Sequence, residues 1–349
     1  MHFLNWIEFY ITNACNLNCT NCNRFNNFAF TGHQTWSDYQ DVYRAWSKII
    51  NFGRISILGG EPMSNPDLPN WINGISELWP GTEITIITNG TFLNKIPNFY
   101  KLLEKYNGKV SLLITSHNPS NLLQDTKNIE NFFPIQPTKT IYSNREEWKT
   151  RYNQSRAPAW PDCEHPDDFY NLPEQIQNEC IIQHVIHPQQ LFISKYTDGI
   201  ITARFYSNVY FYSSSVIHNI ETGVLTLHNS DPNIAMNVCA FKTCPHFIKG
   251  KLYKCGPTGL LPEFIDQFQV NISNQDRELV NSYQPAMANW SNEKLLSFLN
   301  NQKNAEPIAQ CKFCPEKLET GMPLQASNKK IKFTKNLIKE KKTNNSPIT

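Results

Sequence analysis

The chain has 349 residues, of which 40% are apolar and 12% aromatic, enough to bury a large core in one domain or two. Only 18% are charged, and 32 Lys and Arg against 30 Asp and Glu leave +2. That balance gives no global attraction to nucleic acid or an anionic surface, so no nucleic-acid partner is expected.

The first part of the chain alternates strand and helix signals. Residues 3–12, FLNWIEFYIT, are rich in aromatic and β-branched side chains and read as a strand. A helix follows from Ser37 and Asp38, with Val42, Tyr43, Trp46, Ile49 and Ile50 at helical spacing. Residues 54–58 form a short strand that runs into Gly59-Gly60. Helix 66–79 turns Leu68, Trp71, Ile72, Ile75 and Trp79 to one face, and strand 83–88 ends in Asn89-Gly90. Helix 97–106 stops at Asn107-Gly108, and strand 110–115 ends at Ser116-His117. A helix near 119–132 and a strand over 138–143 continue the rhythm. Such βα units predict an α/β fold with a parallel sheet, open or closed into a barrel. Chemistry in these sheets sits at the C-terminal ends of the strands. Cys15, Gly59–Glu61, Thr88–Gly90 and Ser116–His117 fall there.

The rhythm fades after about residue 145 in a Pro-rich stretch that reads as a loop. Asp198-Gly199 marks a hairpin, and the last residues form a basic tail that reads as frayed and solvated. No uninterrupted apolar run reaches the ~18 residues of a membrane span. The N-terminus lacks a basic region and is broken by Asn5 and Glu8, unlike a secretory signal. The expected location is the cytoplasm, where the 10 Cys stay reduced and point to metal or catalysis.

Cys15, Cys19 and Cys22 form C-x3-C-x2-C directly after the first strand. Zinc sites usually take four ligands, and no fourth Cys or His is local. Three thiolates suit a [4Fe–4S] cluster with one iron left open, as a catalytic metal requires. This spacing, together with Gly59-Gly60-Glu61-Pro62 after the second strand, resembles the radical S-adenosylmethionine (radical SAM) superfamily. The resemblance implies a partial (β/α)6 barrel whose cluster cleaves SAM reductively to a 5′-deoxyadenosyl radical, which takes hydrogen from a substrate. It implies that Gly59, Gly60, Glu61 and Pro62 receive the SAM amino group. It also places Thr88, Asn89, Ser116 and His117 near SAM. The residue before the third Cys, commonly aromatic in the family, is Asn21. An external one-electron donor such as flavodoxin or ferredoxin is implied as partner.

Cys239, Cys255, Cys311 and Cys314, with Gly250 between the first two, resemble the twitch domain, a short form of the SPASM extension. The resemblance implies one auxiliary [4Fe–4S] cluster. Cys244 is an alternate, which replaces Cys239, binds transiently or is a plain thiol. A zinc ribbon from the same residues, with His246 in reserve, is the rival. Cys163 and Cys180 read as structural. His165, His184, His187, His218 and His228 lack a metal-selecting spacing, and residues 228–232 read as a turn. The expected organisation is a core over 1–235, a twitch-like unit over 236–324 and a flexible tail over 325–349. Twitch-bearing relatives include dehydrogenases that oxidise an aminocyclitol alcohol, and SPASM relatives modify peptides, so oxidation or rearrangement of a small sugar-like molecule is expected ahead of modification of a ribosomally made peptide. The first strand begins almost at Met1, so no N-terminal peptide-recognition domain is expected. A non-catalytic iron–sulfur or zinc carrier or scaffold is the alternative, which the GGEP segment and the missing fourth thiol argue against.

Overall fold

The computed structural model describes residues 1–19, 22–28, 30–116, 122–142, 193–206, 214–219, 221–239 and 241–317. Asn21, His117, Cys163, His165, Cys180, His184, His187, the Pro-rich loop and the 325–349 tail lie outside those residues.

Strands β1 (His2–Tyr10), β2 (Ile50–Leu58), β3 (Glu83–Thr88) and β4 (Val110–Thr115) alternate with helices α1 (Trp36–Ser47), α2 (Leu68–Leu78) and α3 (Phe99–Glu104). Helix α4 (Leu122–Glu130) and strand β5 (Thr138–Tyr142) follow, then β6 (Ile193–Thr197) and β7 (Thr202–Tyr206). A separate two-stranded sheet joins β8 (Val216–His218) to β9 (Leu225–Leu227). The rest comprises α5 (Pro232–Asn237), β10 (His246–Ile248), β11 (Lys251–Tyr253), α6 (Gly256–Phe268), α7 (Asn274–Asn281) and α8 (Asn292–Lys303).

The main sheet runs β11-β10-β1-β2-β3-β4-β7-β6-β5. Every neighbouring pair from β10 to β7 is parallel. The fold is therefore mixed α/β with a mostly parallel sheet. The expected continuation of the parallel rhythm through 138–143 is corrected here. That segment is a strand, but it pairs antiparallel with β6 at the far edge, and β7 takes the place beside β4. The reason is the hairpin at Asp198-Gly199, which folds β6 back on β7 and leaves β5 only the outer edge. Asp198 Oδ1 accepts from the N–H groups of Ile200 and Ile201 at 2.9 and 2.8 Å, holding the turn.

The two faces of the sheet differ in chemistry. One carries Ile7, Phe9, Ile55, Ile57, Ile84, Ile86, Val110, Leu112, Ala203 and Phe205, all in the main core. Helices α1 and α2 cover it with Tyr43, Trp46, Trp71 and Ile75. Phe9 meets the rings of Tyr43 and Phe247 at 5.0 Å each, a geometry that adds to area burial. The other face carries Glu8, Ser56, Thr85 and Ser111, as period-2 alternation demands. Further along the same face Tyr10, Leu58 and Ile248 join a second apolar cluster with Leu260, Leu261 and Phe264 of α6.

β10 and β11 belong to the Cys-rich half of the sequence yet extend the main sheet beyond β1. Lys249 (φ 51°) and Gly250 (φ 75°) join them, as a two-residue turn with two left-handed residues requires. A Cβ on Gly250 would also stand 2.4 Å from Val42 Cγ1. The Trp46 indole N–H donates to the Gly250 carbonyl at 2.9 Å, pinning the hairpin to α1.

Candidate metal and cofactor site

Cys15, Cys19 and Cys22 lie on the loop that leaves β1. Gln34 ties the loop's start, donating from Nε2 to the Tyr10 carbonyl at 2.7 Å. The Asn13 N–H donates to the Gly32 carbonyl at 2.8 Å, and Asn26 Nδ2 donates to the Asn13 carbonyl. Cys19 and Cys22 are buried and Cys15 is half-buried. Burial pushes the Cys19 thiol well above its ordinary range, and the charges of Cys22 and Cys15 push it further. Burial raises Cys22 too, opposed by the backbone groups of Asn26, Arg24 and Asn27 and by the Arg24 charge. Three sulfurs that repel one another out of water gain most from a bound cation, which takes them as thiolates.

The Gly59–Pro62 segment packs directly on this loop. The Gly60 N–H donates to the Thr12 carbonyl and the Glu61 N–H to the Ala14 carbonyl, both at 2.7 Å. A Cβ on Gly59 would stand 2.4 Å from the Thr12 oxygen, and one on Gly60 would stand 2.3 Å from the Ala14 oxygen. The glycines therefore serve the approach of two backbones. A side chain at Gly60 would therefore press on the cysteine loop itself, because Ala14 immediately precedes Cys15.

Glu61 is 1% exposed and turns inward. Its Oε1 accepts from Thr88 Oγ1 at 2.6 Å and from the Met63 N–H at 3.0 Å. Its Oε2 accepts from the Asn89 N–H at 2.8 Å. Burial pushes this carboxyl up to about 7, against the pull of those three donors. Glu61 thus clamps the end of β3 to the end of β2, and Pro62 opens the short 3-10 turn that Glu61 caps. Asn89 Nδ2 donates to Asn16 Oδ1 at 2.9 Å, and Asn16 Nδ2 donates to Thr91 Oγ1 at 2.8 Å, so the cysteine loop is braced on β3 as well. Ser116 Oγ donates to Asp125 Oδ2 of α4 at 2.6 Å. Of the residues expected near SAM, Gly59–Pro62, Thr88 and Asn89 surround the cysteine loop, and Ser116 ends β4 beside them in the sheet.

Cys239, Cys255, Cys311 and Cys314 come together from three separate segments. Cys239 follows α5, Cys255 is the N-cap residue of α6, and Cys311 lies in the 3-10 turn Ala309–Phe313 with Cys314 at its end. Burial raises the Cys239 thiol to about 12, with the charges of Cys255 and Cys311 adding to it. Cys314 is raised by burial and by the charges of Cys255, Cys239 and Cys311. Ser230 Oγ donates to the Cys314 carbonyl at 2.6 Å, and the Ser230 N–H donates to the Lys312 carbonyl at 2.9 Å. The expected turn at 228–232 is corrected to an extended approach to α5, where Asp231 is the N-cap and accepts from the Asn233 N–H at 2.7 Å. Lys254 is 4% exposed beside this set. Burial lowers its ammonium, while the charges of Cys255, Cys311 and Cys239 oppose that fall.

Cys244 is turned elsewhere. It meets Glu8 of β1 and His246 of β10, whose backbones pair in the sheet. Among the described residues this is the one group of three donors whose ligand atoms all lie within 4.8 Å of one another. Its positive charge is already supplied, since Arg24 Nη2 donates to Glu8 Oε2 at 2.7 Å, and His246 Nε2 also meets that oxygen. Neither Glu8 nor Arg24 belongs to a motif in the sequence. A lone carboxylate inside an otherwise apolar strand was the available signal, since a buried charge needs a partner.

Neither larger cysteine set closes to that spacing among the described residues. Four sulfurs on one zinc stand about 3.8 Å apart at ordinary bond lengths. A wider set fits thiolates that each hold a different iron of a cluster. The donor chemistry of the three thiols fits an iron–sulfur cluster after β1.

Residues 9–133 match the family model described as the Radical SAM superfamily. The match takes in the first three cysteines, the Gly59–Pro62 segment and the ends of β3 and β4. It supports a radical SAM domain in this part of the chain; that superfamily uses a [4Fe–4S] cluster and SAM. Curated relatives include a GTP 3',8-cyclase of Listeria welshimeri, 26% identical over 92 residues, covering 26% of this chain and 28% of that protein. A probable GTP 3',8-cyclase of Methanothermobacter thermautotrophicus is 32% identical over 83 residues, covering 24% and 27%. The chain therefore spans little more than a quarter of the length of these relatives. Among solved structures, BtrN in complex with AdoMet and 2-DOIA aligns at 14% identity and TM-score 0.40, covering 92% of this chain and 99% of that one. Streptococcus suis SuiB bound to S-adenosylmethionine aligns at 21% identity and TM-score 0.31, covering 37% and 31%. No described helix is long and apolar enough to cross a membrane.

Proposed function

We propose that the chain is a radical SAM enzyme in which Cys15, Cys19 and Cys22 hold a [4Fe–4S] cluster with one iron open to SAM. The observation that carries this reading is the backbone pairing of the cysteine loop with Gly60 and Glu61, inside the stretch that matches the family model. When bound, the cluster supplies the electron that cleaves SAM and so opens hydrogen abstraction from a substrate. The chain's own residues do the holding. Thr12 and Ala14 seat the GGEP segment, Glu61 fixes the ends of β2 and β3, and Asn16 with Asn89 braces the outer side of the loop. Burial of Cys19 and Cys22 keeps water from the sulfurs.

In the same reading β1–β4 and β7 are the strands of an incomplete (β/α)6 barrel. Cys239, Cys255, Cys311 and Cys314 hold a second, closed cluster of the twitch kind, with Cys244 left out. The mutual charge effects of those four thiols and their spacing beyond a single zinc support this. The substrate class is a small sugar-like molecule, oxidised or rearranged, ahead of a peptide. Anaerobic reconstitution, reduction with dithionite and addition of SAM should yield 5′-deoxyadenosine. A protein loaded with iron that makes none would sink the assignment and leave an iron–sulfur carrier.

A further inference from the structure

Arg24 lies between the two cysteine sites. It stands two residues after Cys22 and is 8% exposed. Its Nη2 donates to Glu8 Oε2 at 2.7 Å and its Nη1 to Asn23 Oδ1 at 2.9 Å. On its other side the guanidinium carbon is 5.7 Å from the centre of the Phe241 ring. The Phe241 N–H donates to Cys239 Sγ at 3.3 Å. A Cβ built on Gly256 would stand 3.4 Å from the same guanidinium carbon and 3.0 Å from His246 Nε2. Gly256 directly follows Cys255. One planar side chain thus reaches the first cysteine loop, strand β1, and the neighbours of two cysteines of the second set.

We infer that Arg24 couples the two metal sites mechanically, so that filling the first loop stabilises the second site and the reverse. This rests on the reading that both cysteine sets bind metal. Metal at Cys15, Cys19 and Cys22 fixes the loop that carries Arg24. The fixed guanidinium, held by Glu8, then closes the space that Phe241 and Gly256 would need in order to move Cys239 and Cys255. Coupling of this kind is a free energy shared by two sites and acts equally in both directions. The Glu8 carboxylate holds the guanidinium from β1, and the His246 ring of β10 meets that same carboxylate oxygen, so both are part of the device.

The test is a double-variant cycle on the full chain, reconstituted anaerobically. A colorimetric chelator of iron and zinc follows metal leaving the second site. That site is identified as the metal that remains in Cys15→Ala/Cys19→Ala/Cys22→Ala. Emptying the first site by that triple change should speed release from the second by at least about 5-fold. Glu8→Gln with Arg24→Gln removes the buried pair without stranding either charge, and should speed it by a similar factor. All five changes together should release metal no faster than either set alone. If the paired change prevents folding, Arg24→Lys keeps the charge without the planar fork and should speed release in the same direction. Factors that multiply in the combined variant, or a release rate untouched by the Arg24 changes, overturn the coupling while leaving both metal sites in place. A wild-type chain holding about four irons and no zinc overturns the second site itself, and the inference with it.

Discussion

The two cysteine regions are built in opposite ways. The first takes its three sulfurs from one short loop, whose shape is set by backbone bonds to Gly60, Glu61 and Gly32. The second gathers four sulfurs from the ends of α5 and β11 and from a 3-10 turn far along the chain. A local loop can leave a coordination position open, because nothing else in the fold must reach it. A site assembled from three segments closes around its metal and ties those segments together, so its formation is part of folding. In the proposed reading the first region binds a further molecule, and the second holds an electron or the fold.

Breaking the first region should have the largest effect. Cys15→Ala/Cys19→Ala/Cys22→Ala should abolish 5′-deoxyadenosine formation, measured by chromatography after anaerobic reduction with SAM. The variant should still hold about four irons, from the second site. Next comes Gly60→Val. The Ala14 oxygen lies 2.3 Å from where its Cβ would be, so the side chain pushes the cysteine loop away. The visible iron–sulfur absorbance should fall along with SAM binding. Full absorbance with only SAM affinity lost would mean that the loop yields easily.

A smaller effect is expected from Cys311→Ala/Cys314→Ala. Iron should drop from about eight to about four per chain with SAM cleavage retained, as iron and product analysis would read. Four irons with one zinc in the wild type would instead favour a ribbon at the second site. The smallest effect belongs to Cys244→Ser. Cys244 is fully buried against Glu8 and His246, so the change should leave the iron content intact and cost about 1 kcal/mol in a denaturant titration. Loss of about four irons in that variant would return Cys244 to the second site as a ligand.

The same contrast explains what could be read in the sequence. β3 and β4 matched their expected bounds because turn residues flank both apolar runs. The strand at 138–143 was legible, but its neighbour was not. Local pattern says that a segment is extended, not which distant strand meets its edge, and β7 lies some sixty residues later. The first cysteine loop stands out in the sequence because its three thiols are neighbours there. The Gly59–Pro62 pattern also stands out, yet the bonds of Glu61 to Thr88 and Asn89 come from sheet packing. The role of Cys244 was open in the sequence for the same reason. Its partner Glu8 is on the first strand, and only the parallel pairing of β1 with β10 brings them together.

If one cysteine region is open to SAM and the other closed, electron paramagnetic resonance of the reduced wild-type protein should show two overlapping [4Fe–4S] signals. One should shift when SAM is added and vanish in Cys15→Ala/Cys19→Ala/Cys22→Ala. The other should be blind to SAM and vanish in Cys311→Ala/Cys314→Ala. A spectrum in which SAM shifts no signal, or shifts the one that survives the triple change, would contradict it.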